Sequence, residues 1–268
     1  MSMHVENPSM AYCIETYDLN RAFNGVPAVV NMNLRVEQGA FYGFLGPNGA
    51  GKSTTMKMLT GLLAPTSGTA RIFGLDLQQD SLAIKQRIGV VPENLALFEN
   101  LTAREHLTFI GRMYGTPRPV IETRIDELLS LLGLTDTGKK LIVEFSHGMR
   151  KKLALAAALI HDPELLFLDE PFEGIDAIAS RTIRTVLNRF IERGSTIFLT
   201  SHILEIVEKL CTHVGIIHNG ELARQGSMAE LASSGGSLES VFVEAVGRAD
   251  HPEAELSWLR SGGTGADG

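Results

Sequence analysis

The sequence predicts an α/β fold in which a core of parallel strands is preceded by an antiparallel β-ribbon and interrupted by an α-helical subdomain. Residues 165–168 are a continuous apolar run, typical of a strand that a parallel sheet buries on both faces, and residues 196–200 predict a second parallel strand. Residues 30–36 alternate between apolar and polar side chains, as a half-buried strand does. Residues 121–132 instead repeat their apolar positions with the period of a helix.

The N-terminal part reads as strands. Asn24-Gly25 is a hairpin turn signal, and we expect it to join the strand at 30–36 to a partner at 12–19. Further strands are expected at residues 41–45, 69–73 and 88–91, the last ended by Pro92.

The pattern turns helical after Pro92. Thr102 and Glu105 have the spacing of a capping box, which predicts a helix running to Arg112. The stripe at 121–132 predicts a second helix, with Gly133 at its C-terminal cap, and an alanine-rich third helix is expected at 149–160. The β/α alternation then returns, with helices at 177–193 and 203–211 and a strand at 214–217.

These elements predict one domain over residues 11–247. Its core comprises 11–92 and 162–247, and the helical subdomain spans about 93–161. Residues 248–268 are polar and glycine-rich, and we expect a disordered tail there.

Composition excludes several classes of protein. A net charge of −7 argues against a general nucleic-acid binder, and the only short basic run, Arg150-Lys151-Lys152, is expected to be a solvated helix face. Cys13 and Cys211 lie far apart among apolar residues, so we expect buried free thiols in a reducing compartment. We find no secretory leader pattern and no run of 18 apolar residues. A cytoplasmic chain is therefore expected, reaching a membrane only through a partner.

A glycine-rich motif follows the apolar run at 41–45. It matches the phosphate-loop pattern Gly-x-x-x-x-Gly-Lys-Ser/Thr and reads Gly46-Pro47-Asn48-Gly49-Ala50-Gly51-Lys52-Ser53-Thr54. Its glycines let backbone N–H groups point at an anion, and the following helix adds partial positive charge. We expect Lys52 to reach the β- and γ-phosphates, Ser53 to hold Mg²⁺ and Thr54 to contact phosphate. The alternative, a glycine-rich turn with a solvated lysine, is disfavoured by the flanking strand and helix, so a P-loop NTPase core is predicted.

Two carboxylates and a histidine follow predicted parallel strands. Asp169 and Glu170 end the run at 165–168, and ligands of open α/β sheets bind at that end of a strand. We expect Asp169 to hold Mg²⁺ through water and Glu170 to polarise the attacking water. His202 follows the strand at 196–200. A strand-end histidine is more often structural, but beside a phosphate loop we expect it to contact the γ-phosphate.

Together these features resemble the ATP-binding subunits of ABC transporters over residues 12–247. The most specific element is Phe145-Ser146-His147-Gly148-Met149, which stands in the place of the family's Leu-Ser-Gly-Gly-Gln signature. The resemblance implies that ATP is the nucleotide and that Ser146 and Gly148 complete the ATP site of a second copy or a homologue, in a head-to-tail dimer. His147 puts bulk where the family usually has glycine.

The resemblance assigns roles to three further residues. Glu93 stands where the family has a glutamine that contacts Mg²⁺ and the attacking water. Phe23 stands where an aromatic ring stacks on adenine, with a core residue of the ribbon as the alternative. Asp176 matches the loop that communicates between the two sites. Val91-Pro92-Glu93 and the serine–glycine–methionine pattern resemble the subgroup that exports drugs, antibiotics or sodium.

The resemblance also implies a partner. In the family, a transmembrane subunit in a separate chain inserts a short helix beside the loop after Val91, here residues 94–98; an apolar loop that packs on itself is the alternative. The chain would then lie on the inner face of the membrane through that partner. A soluble ATPase for iron–sulfur assembly is the alternative function. A ribosome-linked role is disfavoured by length and charge, and a GTP switch by the lack of a guanine-reading motif.

Overall fold

The computed structural model describes residues 12–233 and 237–247. The strands are β1 (Tyr12–Phe23), β2 (Val26–Met32), β3 (Arg35–Glu37), β4 (Phe41–Leu45), β5 (Ser67–Ile72), β6 (Leu75–Asp76), β7 (Ile88–Val91), β8 (Leu165–Asp169), β9 (Thr196–Ser201), β10 (His213–His218) and β11 (Glu221–Ser227). The helices are α1 (Lys52–Leu59), α2 (Ser81–Arg87), α3 (Ala103–Met113), α4 (Arg118–Leu131), α5 (His147–Leu159), α6 (Ala177–Glu192), α7 (Leu204–Leu210), α8 (Met228–Ser233) and α9 (Leu238–Val246).

The central sheet is parallel except at one edge. Its order is β11-β10-β4-β9-β8-β7, and only β11 runs antiparallel to its neighbour. Along β8, Leu166 and Leu168 pack into one hydrophobic cluster, whereas Leu165 and Phe167 pack into another on the opposite face. Burial on both faces explains why this strand is apolar throughout, and the predicted α/β fold class is confirmed.

The second sheet is antiparallel, in the order β2-β1-β5-β6, with β3 paired to the start of β1. The turn at Asn24-Gly25 joins β1 to β2 as predicted, but β1 continues to Phe23 instead of ending near residue 19. The single strand predicted at 30–36 is wrong, because β2 ends at Met32. Asn31 has a φ of 42°, and the Asn33 side chain donates to the Asn31 carbonyl at 3.0 Å, so a loop separates β2 from β3.

Helices α3, α4 and α5 follow one another between β7 and β8 and pack in one hydrophobic cluster with the sheet. Thr102 and Glu105 form the predicted capping box: the Thr102 hydroxyl accepts from the Glu105 N–H, and the Glu105 carboxylate accepts from the Thr102 N–H. Helix α2 has no counterpart among the predictions. It is seven residues long and buries only Ile84, too little for a helical stripe to stand out in the sequence.

The expectation for the basic run Arg150-Lys151-Lys152 is wrong. Lys151 is buried, and Arg150 donates to the Glu99 carboxylate and to the carbonyls of Val143 and Phe145. The run lies early in α5, where Arg150 and Lys151 contact neighbouring loops. The sequence shows three consecutive basic residues, but it does not show that loops distant in sequence contact two of them.

The two cysteines are buried free thiols, as predicted. Burial raises the pKa of Cys13 to about 12 and also raises the pKa of Cys211. In the part of the chain that the structure describes, no helix has the length and apolar character needed to cross a bilayer. The tail predicted at 248–268 lies outside the described residues.

We expect His106 to make the fold sensitive to acid. Its side chain is 1% exposed, and burial lowers its pKa from the ordinary 6.5. Between the two pKa values the unfolded chain binds more protons than the native one, so stability falls as pH drops below about 6.5. The wild-type protein should lose unfolding free energy between about pH 7.5 and pH 5.5. In His106→Phe that loss should be smaller by about 1 kcal/mol. Urea unfolding at both pH values measures this, and an unchanged loss would contradict it.

Candidate active site

The phosphate loop connects β4 to α1, and close backbone packing explains two of its glycines. A Cβ on Gly46 would lie 2.5 Å from the Ile217 carbonyl oxygen, although the φ of this residue is not in the left-handed region. A Cβ on Gly51 would lie 2.6 Å from the Ala28 carbonyl oxygen, and its φ is 108°. The loop is therefore pressed against both β10 and β2, and side chains at these positions would displace it.

The turn between β10 and β11 ties this loop to the antiparallel sheet. The Gly220 N–H donates to the Ala50 carbonyl at 3.0 Å, and the Gly220 carbonyl accepts from the Val30 N–H at 2.8 Å. Asn219 and Gly220 both have positive φ, as expected for an Asn-Gly turn. The turn thus bridges the phosphate loop and β2.

Lys52 begins α1 with a buried side chain. Its ammonium donates to the Gly46 carbonyl at 2.7 Å and to the Pro47 carbonyl at 3.3 Å. It also lies 3.6 Å from Oε1 of Glu170. These contacts hold the ammonium against the backbone of the loop.

Asp169 and Glu170 leave β8 in a network with Thr200 of β9. The Thr200 hydroxyl donates to Oδ1 of Asp169 at 2.5 Å and accepts from the Glu170 N–H at 3.1 Å. The Ser53 hydroxyl donates to the same Asp169 oxygen at 3.4 Å. Glu170 has a φ of 47°, a strained value for a residue with a side chain. The neighbouring strand therefore holds the Glu170 backbone in place.

His202 meets Glu170 at the edge of the cavity. Its Nδ1 lies 3.0 Å from Oε1 of Glu170, the oxygen that also faces Lys52. The Glu170 side chain is 9% exposed, whereas that of His202 is 36% exposed. The buried Glu170 carboxylate thus lies between the buried Lys52 and the partly exposed His202.

These groups surround one cavity of about 350 Å³, a volume in the range of small-ligand sites. It is lined by Ala28, Pro47, Asn48, Gly49, Gly51, Lys52, Ser53, Thr54, Glu93, Glu170, Glu173 and His202. Most of the residues predicted for nucleotide binding are therefore brought together. Gly46, Ala50 and Asp169 do not line the cavity but contact the residues described above.

Besides Gly46, Ala50 and Asp169, four predicted site residues do not line the cavity: Phe23, Ser146, Gly148 and Asp176. Ser146 is exposed and caps α5, its hydroxyl accepting from the Met149 N–H at 3.3 Å. Asp176 caps α6, where Oδ1 accepts from the Ala179 N–H at 2.7 Å. A Cβ on Gly148 would lie 4.0 Å from Oδ2 of Asp176, so these two positions are neighbours.

The Phe23 ring lies at the end of β1, beside the turn to β2. It is 43% exposed, and the Arg21 guanidinium lies 4.6 Å from its centroid. The alternative expectation of a buried ribbon residue is wrong. An exposed ring stacked against an arginine presents its other face to solvent or to a ligand.

Sequence reasoning missed three residues here: Thr200, Glu173 and Lys151. Thr200 is a polar residue that follows the apolar residues 197–199, one residue before the strand ends, and this position was a usable signal. Glu173 lines the cavity only because the loop after Glu170 folds back. Lys151 donates to the Glu170 and Glu173 carbonyls, contacts that the sequence does not indicate.

The fold and the cavity define a P-loop nucleoside triphosphatase. The family model described as "ABC transporter" matches residues 29–173. The bacitracin transport ATP-binding protein BcrA of Bacillus licheniformis is 44% identical over 81% of this chain and 70% of that protein. The daunorubicin/doxorubicin resistance ATP-binding protein DrrA of Streptomyces peucetius is 38% identical over 86% of this chain and 70% of that protein.

Solved structures agree with these matches. An ATP-binding subunit of an ABC transporter superimposes with a TM-score of 0.81 at 30% identity, covering 87% of this chain and 99% of that one. The cbiO1 protein of Clostridium perfringens, part of the transporter complex cbiONQ, gives 0.73 at 27% identity over 86% and 94%. The chain therefore belongs to the ABC transporter family. It is an ATP-binding subunit and an ATPase, similar to the drug and antibiotic exporter subgroup, and the iron–sulfur alternative is not supported.

Replacing Thr200 with valine keeps the shape of the side chain and removes the hydroxyl between Asp169 and Glu170. We expect a loss of about 1–3 kcal/mol in stability, because buried groups are left unpaired. We also expect kcat to fall by about tenfold or more, since the Glu170 backbone loses a contact. Thermal unfolding and steady-state ATP hydrolysis measure the two effects.

Thr196→Val is the matched control for this prediction. Thr196 is also fully buried on β9, and its hydroxyl accepts from the Gly39 N–H at 2.8 Å, at the strand end away from the site. It should lose similar stability without losing kcat. Equal losses of kcat in both variants would contradict a role for Thr200 in the site.

Proposed function

We propose that two copies of this chain, or this chain and a homologue, bind two ATP molecules in a head-to-tail dimer. Closure of the dimer would drive a separate transmembrane subunit that exports a drug or antibiotic. Each site would use the cavity of one copy and the start of α5 from the other. Hydrolysis then reopens the dimer. The domain is taken as residues 11–247, with 93–161 as its helical subdomain.

The position of α5 carries the proposal. Among the described residues, none of those lining the cavity comes from this helix. Its first turn has no acidic residue, and Ser146 at its cap is exposed. The free N–H groups and partial positive charge of a helix start attract phosphate. Since the helix lies outside its own cavity, the phosphate that it would meet belongs to a second copy.

Within one cavity, the chemistry divides among three side chains. Lys52 would pair with the β- and γ-phosphates, because its ammonium is buried beside the loop that cradles them. Glu170 would accept hydrogen bonding from the attacking water and orient it. His202, in contact with Glu170, would donate to the γ-phosphate and keep the carboxylate directed at the water.

The residues present fit Mg²⁺. Ser53, Asp169 and Glu93 provide oxygen ligands, which this ion prefers, and it needs few protein ligands when phosphates and water complete its shell. Glu93, Glu170 and Glu173 also place three carboxylates on the cavity wall, and a polyanionic nucleotide would be repelled without a cation between them. When bound, Mg²⁺ would offset charge on the β- and γ-phosphates.

The membrane partner is proposed to dock on an aromatic patch of the helical segment. The patch consists of Phe98, Phe109 and Met113, which are 49%, 43% and 70% exposed. Phe98 and Phe109 meet edge to face with ring centroids 5.0 Å apart. Leu95 and Leu97 pack inward against the core, so they support the patch instead of forming it. Exposed aromatic side chains of this kind suit an apolar partner helix.

Export is favoured by the relatives' names. The similar proteins from Bacillus licheniformis and Streptomyces peucetius serve bacitracin transport and resistance to daunorubicin and doxorubicin. A linearmycin resistance ATP-binding protein of Bacillus subtilis is 39% identical over 82% of this chain and 71% of that protein. An antibiotic or drug is therefore the substrate class that we propose, with the chain held on the inner face of the membrane by its partner.

Mixing two inactive variants tests the composite site. Lys52→Ala disables the phosphate loop, and Ser146→Asp keeps a good helix cap while placing a negative charge where the partner's phosphate would lie. Each homodimer should lose ATP hydrolysis. The mixed dimer should recover about half the wild-type rate at saturating ATP, provided that one intact site can turn over alone. No recovery in a purified mixed dimer would contradict the head-to-tail arrangement if Lys52→Ala paired with wild type is active.

Serine at Phe98 and Phe109 tests the docking patch. The double variant should retain the ATPase rate of the free chain but lose co-purification with the transmembrane subunit from detergent-solubilised membranes, because the apolar contact is gone. Leu62→Ser is the control, since Leu62 is 67% exposed on a different part of the surface. Full co-purification of the double variant would contradict this docking site.

A further inference from the structure

We propose that Lys151 is a positioning residue that fixes the backbone of Glu170 and Glu173 and thereby links the start of α5 to the active site of its own chain. This inference rests on the proposed function, because it assumes that the start of α5 contacts the ATP of a second copy.

Lys151 is a buried cation that no other part of the mechanism uses. Its side chain is only 6% exposed, a costly position for a charge unless hydrogen bonds compensate. The ammonium donates to the Glu170 carbonyl at 2.8 Å and to the Glu173 carbonyl at 2.6 Å. Among the described residues no carboxylate lies within ion-pair distance of it. The buried charge is therefore directed at two backbone groups of the catalytic loop.

Glu170 is thereby held at both ends of its backbone. Its N–H donates to the Thr200 hydroxyl, and its carbonyl accepts from Lys151. The same carbonyl accepts from the Glu173 N–H at 3.2 Å, which closes a turn. A φ of 47° persists at a residue with a side chain only where its surroundings impose it. Thr200 and Lys151 supply that constraint from two different elements.

The first turns of α5 contact the rest of this loop as well. The His147 ring lies 3.4 Å from the position of a Cβ on Gly174, and Gly148 lies beside Asp176. Burial lowers the pKa of Lys151, and the charges of Glu173, Glu170 and Glu93 oppose that shift, so the ammonium also senses the cavity carboxylates. When a second copy's phosphate contacts Ser146, any shift of α5 reaches Glu170 through Lys151.

Substitution of Lys151 by methionine removes the donors and keeps the length of the side chain. We expect kcat for ATP hydrolysis to fall by about tenfold or more, while the Kd for ATP and ATP-dependent dimerisation change by less than about threefold. Lys151→Arg, which retains donors, should recover part of the rate. Lys152→Met is the matched control: Lys152 is the next residue, is half-buried and should retain wild-type kcat.

Mixed dimers separate an effect in the same chain from an effect across the dimer. A chain carrying Glu170→Gln and Lys151→Met, paired with wild type, should be as active as Glu170→Gln paired with wild type, because the intact site retains its own Lys151. A Glu170→Gln chain paired with a Lys151→Met chain should be less active than that pair by about tenfold or more.

The opposite pattern in the two mixed dimers would overturn the proposal, as would wild-type kcat in Lys151→Met. Parallel loss of kcat and ATP affinity would also overturn it, since that result indicates a merely structural lysine. If Lys151→Met does not fold, parallel loss of kcat and ATP affinity in Lys151→Arg has the same meaning. The dimer of a Glu170→Gln chain with a wild-type chain should keep one intact composite site. If this dimer is inactive, the result contradicts the proposed function and not the role of Lys151.

Discussion

Parallel pairing of β4, β9 and β8 is the constraint on which the site depends. The register places Leu45 opposite Ser201, and Thr200 opposite Asp169. The three strands therefore end at one edge of the sheet. The phosphate loop, Glu170 and His202 come directly after β4, β8 and β9, respectively. A slip in register would separate the groups that share the Asp169 carboxylate.

Polar groups buried at that edge make the arrangement specific. Asp169, Thr200 and Lys52 are each less than 9% exposed, and each has hydrogen-bond partners within the site. Buried polar networks of this kind tolerate few alternatives, because an unpaired member is costly in a region of low dielectric. The same network holds Glu170 in a backbone conformation that local preference alone would not produce.

Local patterns made most of the fold and much of the site predictable. The apolar runs of β8 and β9, the capping box at Thr102 and the phosphate loop all depend on residues close in sequence. What escaped prediction depends on tertiary contact. Lys151 lies in a basic run that looks solvated until the loop after β8 covers it. The break between β2 and β3 arises from Asn33, which bonds across to the neighbouring strand at Asp18. Alternation of apolar residues continues through such a break and therefore conceals it.

The close contacts of Gly46 and Gly220 have a thermodynamic consequence. The phosphate loop is held by β10, β2 and the turn between β10 and β11, all parts of its own chain. When a binding loop becomes ordered only on binding, the entropy cost of ordering it lowers the affinity for the ligand. A preorganised loop avoids this cost. The free energy of ATP binding is then available for work elsewhere in the assembly. Under the proposed function, that work is the movement of a transmembrane partner.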